Sequence, residues 1–303
     1  MKDDKRKNVI SGCLCALGCE VLFGLSYVFT KQATVSAGAL SLLCWRFLIA
    51  FAVMSVCVFT GLIKVSFKGK SLKPLLLVAL FSPVLYFVGE TVGISHTTAS
   101  ESGVFLACIP VAALAASTLI LGKKPSRRQI AGILATLAGV LVTVLAVGAA
   151  TSLSVIGYLF LLLAVVSYAL YCVFVEKASA YTGAEITYAM LAAGAVVFGL
   201  SAVAQACING SLGVLLRLPF AQPDFLRAIL YQGIGCSVVA FFLSNVAIAK
   251  IGVNRASSFI GVATVVSILA GALLLGERFT VWQAVGAVII VAGVYVANSG
   301  GGE

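Results

Sequence analysis

Long apolar stretches follow one another along almost the whole chain, each about the length of a bilayer crossing. Short polar breaks part them. A helix needs about 20 apolar residues to cross the hydrocarbon. Ten stretches meet that length: Val9–Thr30, Gly38–Leu62, Pro74–Ile94, Ser100–Leu121, Gln129–Val147, Leu153–Val175, Glu185–Ile208, Leu226–Ala249, Arg255–Leu275 and Val281–Asn298. The longest break, Asn209–Phe225, carries Gly210, Gly213, Pro219 and Pro223 and reads as a loop. No break has room for a soluble domain. The first apolar run continues without a small-residue cleavage site, so it reads as a retained helix rather than a signal peptide. The pattern predicts an all-α integral membrane protein with ten transmembrane helices.

Composition agrees. Of 303 residues, 61% are hydrophobic and 10% charged, and the mean hydropathy is +1.14. A soluble domain is about half apolar and about a quarter charged, so this chain has too little polar surface to cover itself in water. The net charge of +10 would suit a nucleic-acid partner if the basic residues formed one surface, but they do not. With the N-terminus inside the cell, 15 of the 20 basic residues fall in inner segments and four in outer loops, and Arg46 is left within the second helix. That bias places both termini in the cytoplasm and makes the basic residues topology anchors facing anionic lipid. The nine cysteines lie in or at the ends of apolar runs, with no C-x-x-C or Cys/His cluster, so they read as small buried hydrophobes rather than metal or redox groups. No cofactor or metal is expected.

The chain repeats itself. "LGKKPSRRQIAGILATLAGVLV" (Leu121–Val142) aligns with "LGERFTVWQAVGAVIIVAGVYV" (Leu275–Val296) at an offset of 154, matching Gly122 with Gly276, Gln129 with Gln283, Gly132 with Gly286 and Gly139 with Gly293. Earlier, Val28–Phe29 matches Val173–Phe174, and Gly38–Ala39 matches Gly183–Ala184, at an offset of 145. The difference fits an insertion in the Asn209–Phe225 stretch. Each half, residues 9–147 and 153–298, then holds five helices. Five is odd, so the second half enters the membrane upside down. Two inverted halves give two pseudo-equivalent conformations, one open to each side, which is the basis of alternating access.

At these residues the chain resembles the EamA-type family of the drug/metabolite transporter superfamily. "WRFLIA" (Trp45–Ala50), "TTASESGVFLACIPV" (Thr97–Val111) and the two paired stretches carry the resemblance, which covers about residues 8–298. It implies ten helices in two inverted repeats and transport of small organic solutes (amino acids, other metabolites or drugs) across the plasma membrane, often outward. The "GE" that follows the fourth helix in the family is kept by Glu277 but is Gly122-Lys123 in the first repeat. This glutamate reads as a helix-end feature.

Intramembrane ionisable residues cost about 2.5–3.5 kcal/mol each on insertion scales and mark candidate sites. Glu20 is the deepest; Glu20, Gly24, Tyr27 and Lys31 share one face of the first helix. Glu90 lies four residues after Tyr86 on the third helix, at a depth similar to that of Arg46. Glu90 is therefore either a substrate group or the partner of Arg46 in a buried structural ion pair. His96 and Glu101 fall at the outer turn, where Thr98 and Glu101 have capping-box spacing. Pro110, in the middle of the fourth helix, is a candidate bend. In the second half, Tyr168 and Tyr171, the Ser237–Phe241–Asn245 face and Thr264 with Ser267 are milder cavity candidates, Asn245 foremost because a buried amide needs partners. Such groups suit an amphipathic solute.

No Walker A sequence is present, so ATP does not drive transport directly. A secondary transporter is the expected function, coupled to protons through Glu20 or Glu90 or working by facilitated diffusion. A channel-like permease or a non-transporting membrane protein is the alternative. A membrane enzyme would need converging groups that this chain lacks. A duplicated chain holds both halves of a pathway, so a monomer or a homodimer would serve.

Overall fold

The computed structural model describes all residues except 1, 35–36, 98–101, 103–104, 146–153, 277–279 and 300–303, and leaves the side chains at 2–6, 27, 30–32, 34 and 275 outside the description. The regular elements are all helical: α1 (Lys2–Thr34), α2 (Ala39–Phe59), α3 (Lys73–His96), α4 (Ile109–Leu121), α5 (Arg127–Leu145), α6 (Val155–Lys177), α7 (Gly183–Ile208), α8 (Leu212–Ala221), α9 (Pro223–Ile251), α10 (Val253–Leu274) and α11 (Val281–Asn298). Among the described residues nine of these are long and apolar enough to cross a membrane; α4 and α8 are shorter.

α8 corrects the reading of Asn209–Phe225 as a loop. It buries Leu215, Leu218 and Pro219. Proline at position 219 cannot donate to the Leu215 carbonyl as a helix requires. The Trp45 indole N–H from α2 takes that carbonyl instead, at 3.0 Å, so the helix survives its proline.

The sequence repeat has structural causes. Gly122 and Gly276 end α4 and α10 in the left-handed conformation, with φ of 67° and 66°, where glycine carries no Cβ penalty. Ser126 and Gln129 cap the start of α5 reciprocally, and Thr280 and Gln283 do the same for α11. Both pairs sit at the 154 offset. The other matched glycines face one another. A Cβ on Gly132 would meet the Gly293 carbonyl at 2.5 Å, and one on Gly139 would meet the Gly286 carbonyl at 2.7 Å. As one index rises by seven its partner falls by seven, so α5 and α11 cross antiparallel with backbones in contact, the geometry that small residues permit.

The remaining packing partners pair off in the same way. α1 packs on α9 and α10, while α6 packs on α3 and α4; α2 packs on α7 and α9, while α7 packs on α2 and α3. Exchanging α1–α5 for α6, α7, α9, α10 and α11 maps this set of contacts onto itself. The largest cluster of buried apolar side chains lies where α2, α3, α6, α7 and α9 converge, around Phe47, Phe87, Tyr171, Met190, Phe198 and Phe241.

Candidate functional site

Two of the long helices are irregular at matching places. α3 breaks at Ser82, whose backbone is extended (φ −142°, ψ 122°), and Pro83 follows. α9 widens into a π-helical stretch over Tyr231–Ala240. Shifted by 154, the α3 irregularity at Leu80–Leu85 falls inside the α9 one. Irregular backbone at membrane depth is tolerated where it is buried in protein or lines a cavity, and interrupted segments in corresponding positions of two halves point to a binding site. Just beyond each irregularity stands a phenylalanine, Phe87 on α3 and Phe241 on α9, also 154 apart.

Arg46 lies close to both of those rings. It is 7% exposed. Its Cζ sits 4.8 Å from the Phe87 ring centre, 5.5 Å from that of Phe47 and 5.9 Å from that of Phe241, within cation–π range. Its Nε donates to Ser237 Oγ at 2.7 Å, and its Nη1 reaches Gln232 Oε1 at 3.5 Å. Its Nη2 is buried with no hydrogen-bond partner. The expected Arg46–Glu90 pair makes no contact at salt-bridge distance, although the two groups interact electrostatically at longer range. Tyr86 turns toward α6, its ring 5.4 Å from that of Tyr168, and its hydroxyl donates to Glu90 Oε1 at 2.7 Å. Similar depth brought the two charges level, but Arg46 faces α9 and Glu90 follows Tyr86.

Tyr168 continues the aromatic line to Tyr171, at 5.3 Å between ring centres. Tyr168 also borders a water-sized cavity of about 10 Å³ with Cys19 and Glu20 of α1, Cys172 of α6, Ser244 of α9 and Ser257 of α10. Glu20 is 6% exposed and faces protein, not acyl chains. Tyr171 and Asn245 belong to a closed network rather than the cavity. The Tyr171 hydroxyl donates to Asn245 Oδ1 at 2.8 Å, and Asn245 Nδ2 donates to Thr187 Oγ1 at 3.0 Å. Asn245 has no exposed surface. Cys19, Cys172 and Gln232 were not singled out from the sequence. The signals for the cysteines were Cys19 beside Glu20 and Cys172 four residues after Tyr168; Gln232, apart from any repeated motif, had none.

The other candidates are more peripheral. Ser267 is half-buried and donates to the Thr264 carbonyl of its own helix at 2.9 Å. His96 is exposed at the last residue of α3, its Nδ1 2.9 Å from the Val92 carbonyl. Pro110 is in the first turn of α4, not at mid-helix; the chain is helical at 105–107, turns at Cys108 and resumes at Ile109. Thr98, Glu101 and Glu277 lie outside the described residues, as does the Tyr27 side chain.

Two carboxylates tie the halves together on the lysine-rich face. Glu185, 3% exposed, caps α7 with Thr182, accepts from Ser66 N at 3.0 Å and pairs with Lys70 at 2.7 Å. Glu176, at the end of α6, pairs with Lys123 and accepts from Val253 N, at the start of α10, at 2.9 Å.

This arrangement joins interrupted helices, a buried cation, two intramembrane carboxylates and a tyrosine line. These groups lie buried or half-buried where α1, α2, α3, α6 and α9 meet. Comparison with known proteins places the chain in a family. The family model described as "EamA-like transporter family" matches residues 10–145 and again 155–299. The chain is 33% identical to the uncharacterized transporter YcxC of Bacillus subtilis (strain 168) over 94% of this chain and 92% of that protein. It is 24% identical to the uncharacterized transporter YetK of the same organism over 95% and 84%. A solved crystal structure superposes with a TM-score of 0.73 at 19% identity, covering 95% of this chain and 96% of that one, which shows a shared fold. The chain is a multi-pass membrane protein and belongs to the EamA-like transporter family.

Proposed function

We propose that the protein is a secondary transporter that exports small organic solutes across the plasma membrane by alternating access, with both termini cytoplasmic. Its halves are residues 9–147 and 153–298, ten spans in two inverted repeats. The exchange of packing partners between halves and the antiparallel α5–α11 crossing support that reading. The observation that carries the function is the pair of matched irregularities in α3 and α9, which flank Arg46 and run on through Tyr86, Glu90 and Tyr168 to the cavity at Glu20. Solute occupies this interior while the halves rock about it. The lysine–carboxylate links of Glu185 and Glu176 hold the cytoplasmic end closed in the described conformation, and opening inward requires both to part. A monomer suffices.

Counterflow in proteoliposomes tests this. Vesicles loaded with each member of a metabolite panel receive the same labelled solute outside. A carrier gives saturable uptake that rises with internal load. Linear, load-independent flux identifies a channel-like permease, and no flux for any solute refutes transport. Repeating the assay with an imposed pH gradient tests proton coupling through Glu20 or Glu90; equal rates with and without the gradient exclude it.

A further inference from the structure

Resting on the transporter reading, we infer that Arg46 recognises the solute through a single negative charge, so that the carried solute is an organic monocarboxylate. Arg46 is a buried cation without an ionised partner in ion-pair contact. Its two hydrogen-bonded nitrogens meet neutral oxygens, those of Ser237 and Gln232. Its third, Nη2, meets none. Phe87, Phe47 and Phe241 cover the guanidinium closely. The rings cannot accept all of its N–H groups, so those groups are its polar surface. A buried charge is costly to leave unpaired. Glu90 lies within electrostatic range of Arg46 but makes no ion-pair contact with it, and its Oε1 accepts from Tyr86.

The guanidinium edge is a fork of N–H donors whose geometry matches a carboxylate better than a point charge or a lone hydroxyl. One guanidinium balances one negative charge; a dianion would carry a second into the apolar interior uncompensated. Arg46 also sits against the irregular stretch of α9 through Ser237 and Gln232 and against α3 through Phe87. Both helices belong to the paired elements that the rocking motion would separate, so the same movement that admits solute frees Nη2.

The test uses the full-length protein in liposomes and matched acid–amide pairs: 3-phenylpropionate with its amide, benzoate with benzamide, and 4-methylpentanoate with its amide. Wild type is expected to exchange, and to be thermally stabilised by, at least one acid about tenfold better than its amide, a difference of about 1.4 kcal/mol. Arg46→Gln should bring the ratio to about one while the amide rate falls far less than the acid rate. Arg46→Lys, which keeps the charge without the fork, should restore part of the preference. A merely structural Arg46 would lower acid and amide rates together. Wild type treating acids and amides alike, a preference that survives in Arg46→Gln, or exchange confined to neutral and cationic solutes overturns this inference and leaves the transporter intact. Absence of exchange for every solute removes the transporter reading, and the inference with it.

Discussion

Asn245 shows how a polar side chain is accommodated inside this bundle. Its carbonyl oxygen accepts from Tyr171 and its amide donates to Thr187, so one side chain fastens α6, α7 and α9. Replacing it by leucine strands the Thr187 side of the network and removes the better of the Tyr171 acceptors. A buried polar group left without its partner costs about 1–3 kcal/mol. Asn245→Leu should therefore lower the thermal midpoint of the purified protein by several degrees; an unchanged midpoint would show that the network is not structural. Glu20 is a different case, because it borders a cavity instead of closing a network. Glu20→Gln should leave the midpoint nearly unchanged and reduce flux, and loss of stability without loss of flux would remove it from the site. At this scale the sequence showed which residues are polar at membrane depth, but not their partners. Depth places a residue along the membrane normal and says nothing of the direction in which it points, which is why Arg46 and Glu90 read as a direct pair and instead interact only at longer range. The partners of Asn245 are 74 and 58 positions away, beyond any local pattern.

Single elements owe their form to a few residues each. The close approach of α5 and α11 depends on Gly132, Gly139, Gly286 and Gly293, because any side chain there meets backbone. Gly139→Val and its counterpart Gly293→Val should each destabilise the protein by comparable amounts, about 1–3 kcal/mol from overpacking, read as matched falls in thermal midpoint. Very unequal falls would contradict the reciprocal contact. At the start of α7, Glu185 combines a capping box with the Lys70 link. Glu185→Gln keeps an acceptor for the Thr182 N–H and loses the charge, whereas Glu185→Ala loses both and leaves only the Thr182 hydroxyl half of the cap. Alanine should cost about 1 kcal/mol more than glutamine for the lost hydrogen bond, and equal midpoints would mean that this half of the cap contributes nothing. The nine long helices among the described residues were legible because apolar runs of that length match a bilayer crossing. α8 was not, because glycine and proline around it read as punctuation. Its survival depends on the Trp45 indole, which no short-range pattern could supply.

For the molecule as a whole, the offsets of 154 and 145 carried the most information. Residues matched by the first of them turn out as equivalent helix caps, facing glycines and paired phenylalanines on interrupted helices. A repeat is legible at long range because each copy solves the same packing problem, so its capping and contact residues recur. What the repeat could not show is how nearly the interior closes, since that depends on side chains from α1, α6, α9 and α10 meeting at Glu20.

That meeting point allows the account to be tested by the chain's own chemistry. Cys172 borders the cavity and is 2% exposed, whereas Cys207 is exposed near the end of α7. Two variants, each keeping one of these thiols and no other cysteine, are treated with a charged, membrane-impermeant maleimide, in right-side-out and in inverted vesicles. Alternating access predicts that Cys172 is labelled from both sides and Cys207 from the outer side alone. Labelling of Cys172 from one side only would contradict the central claim.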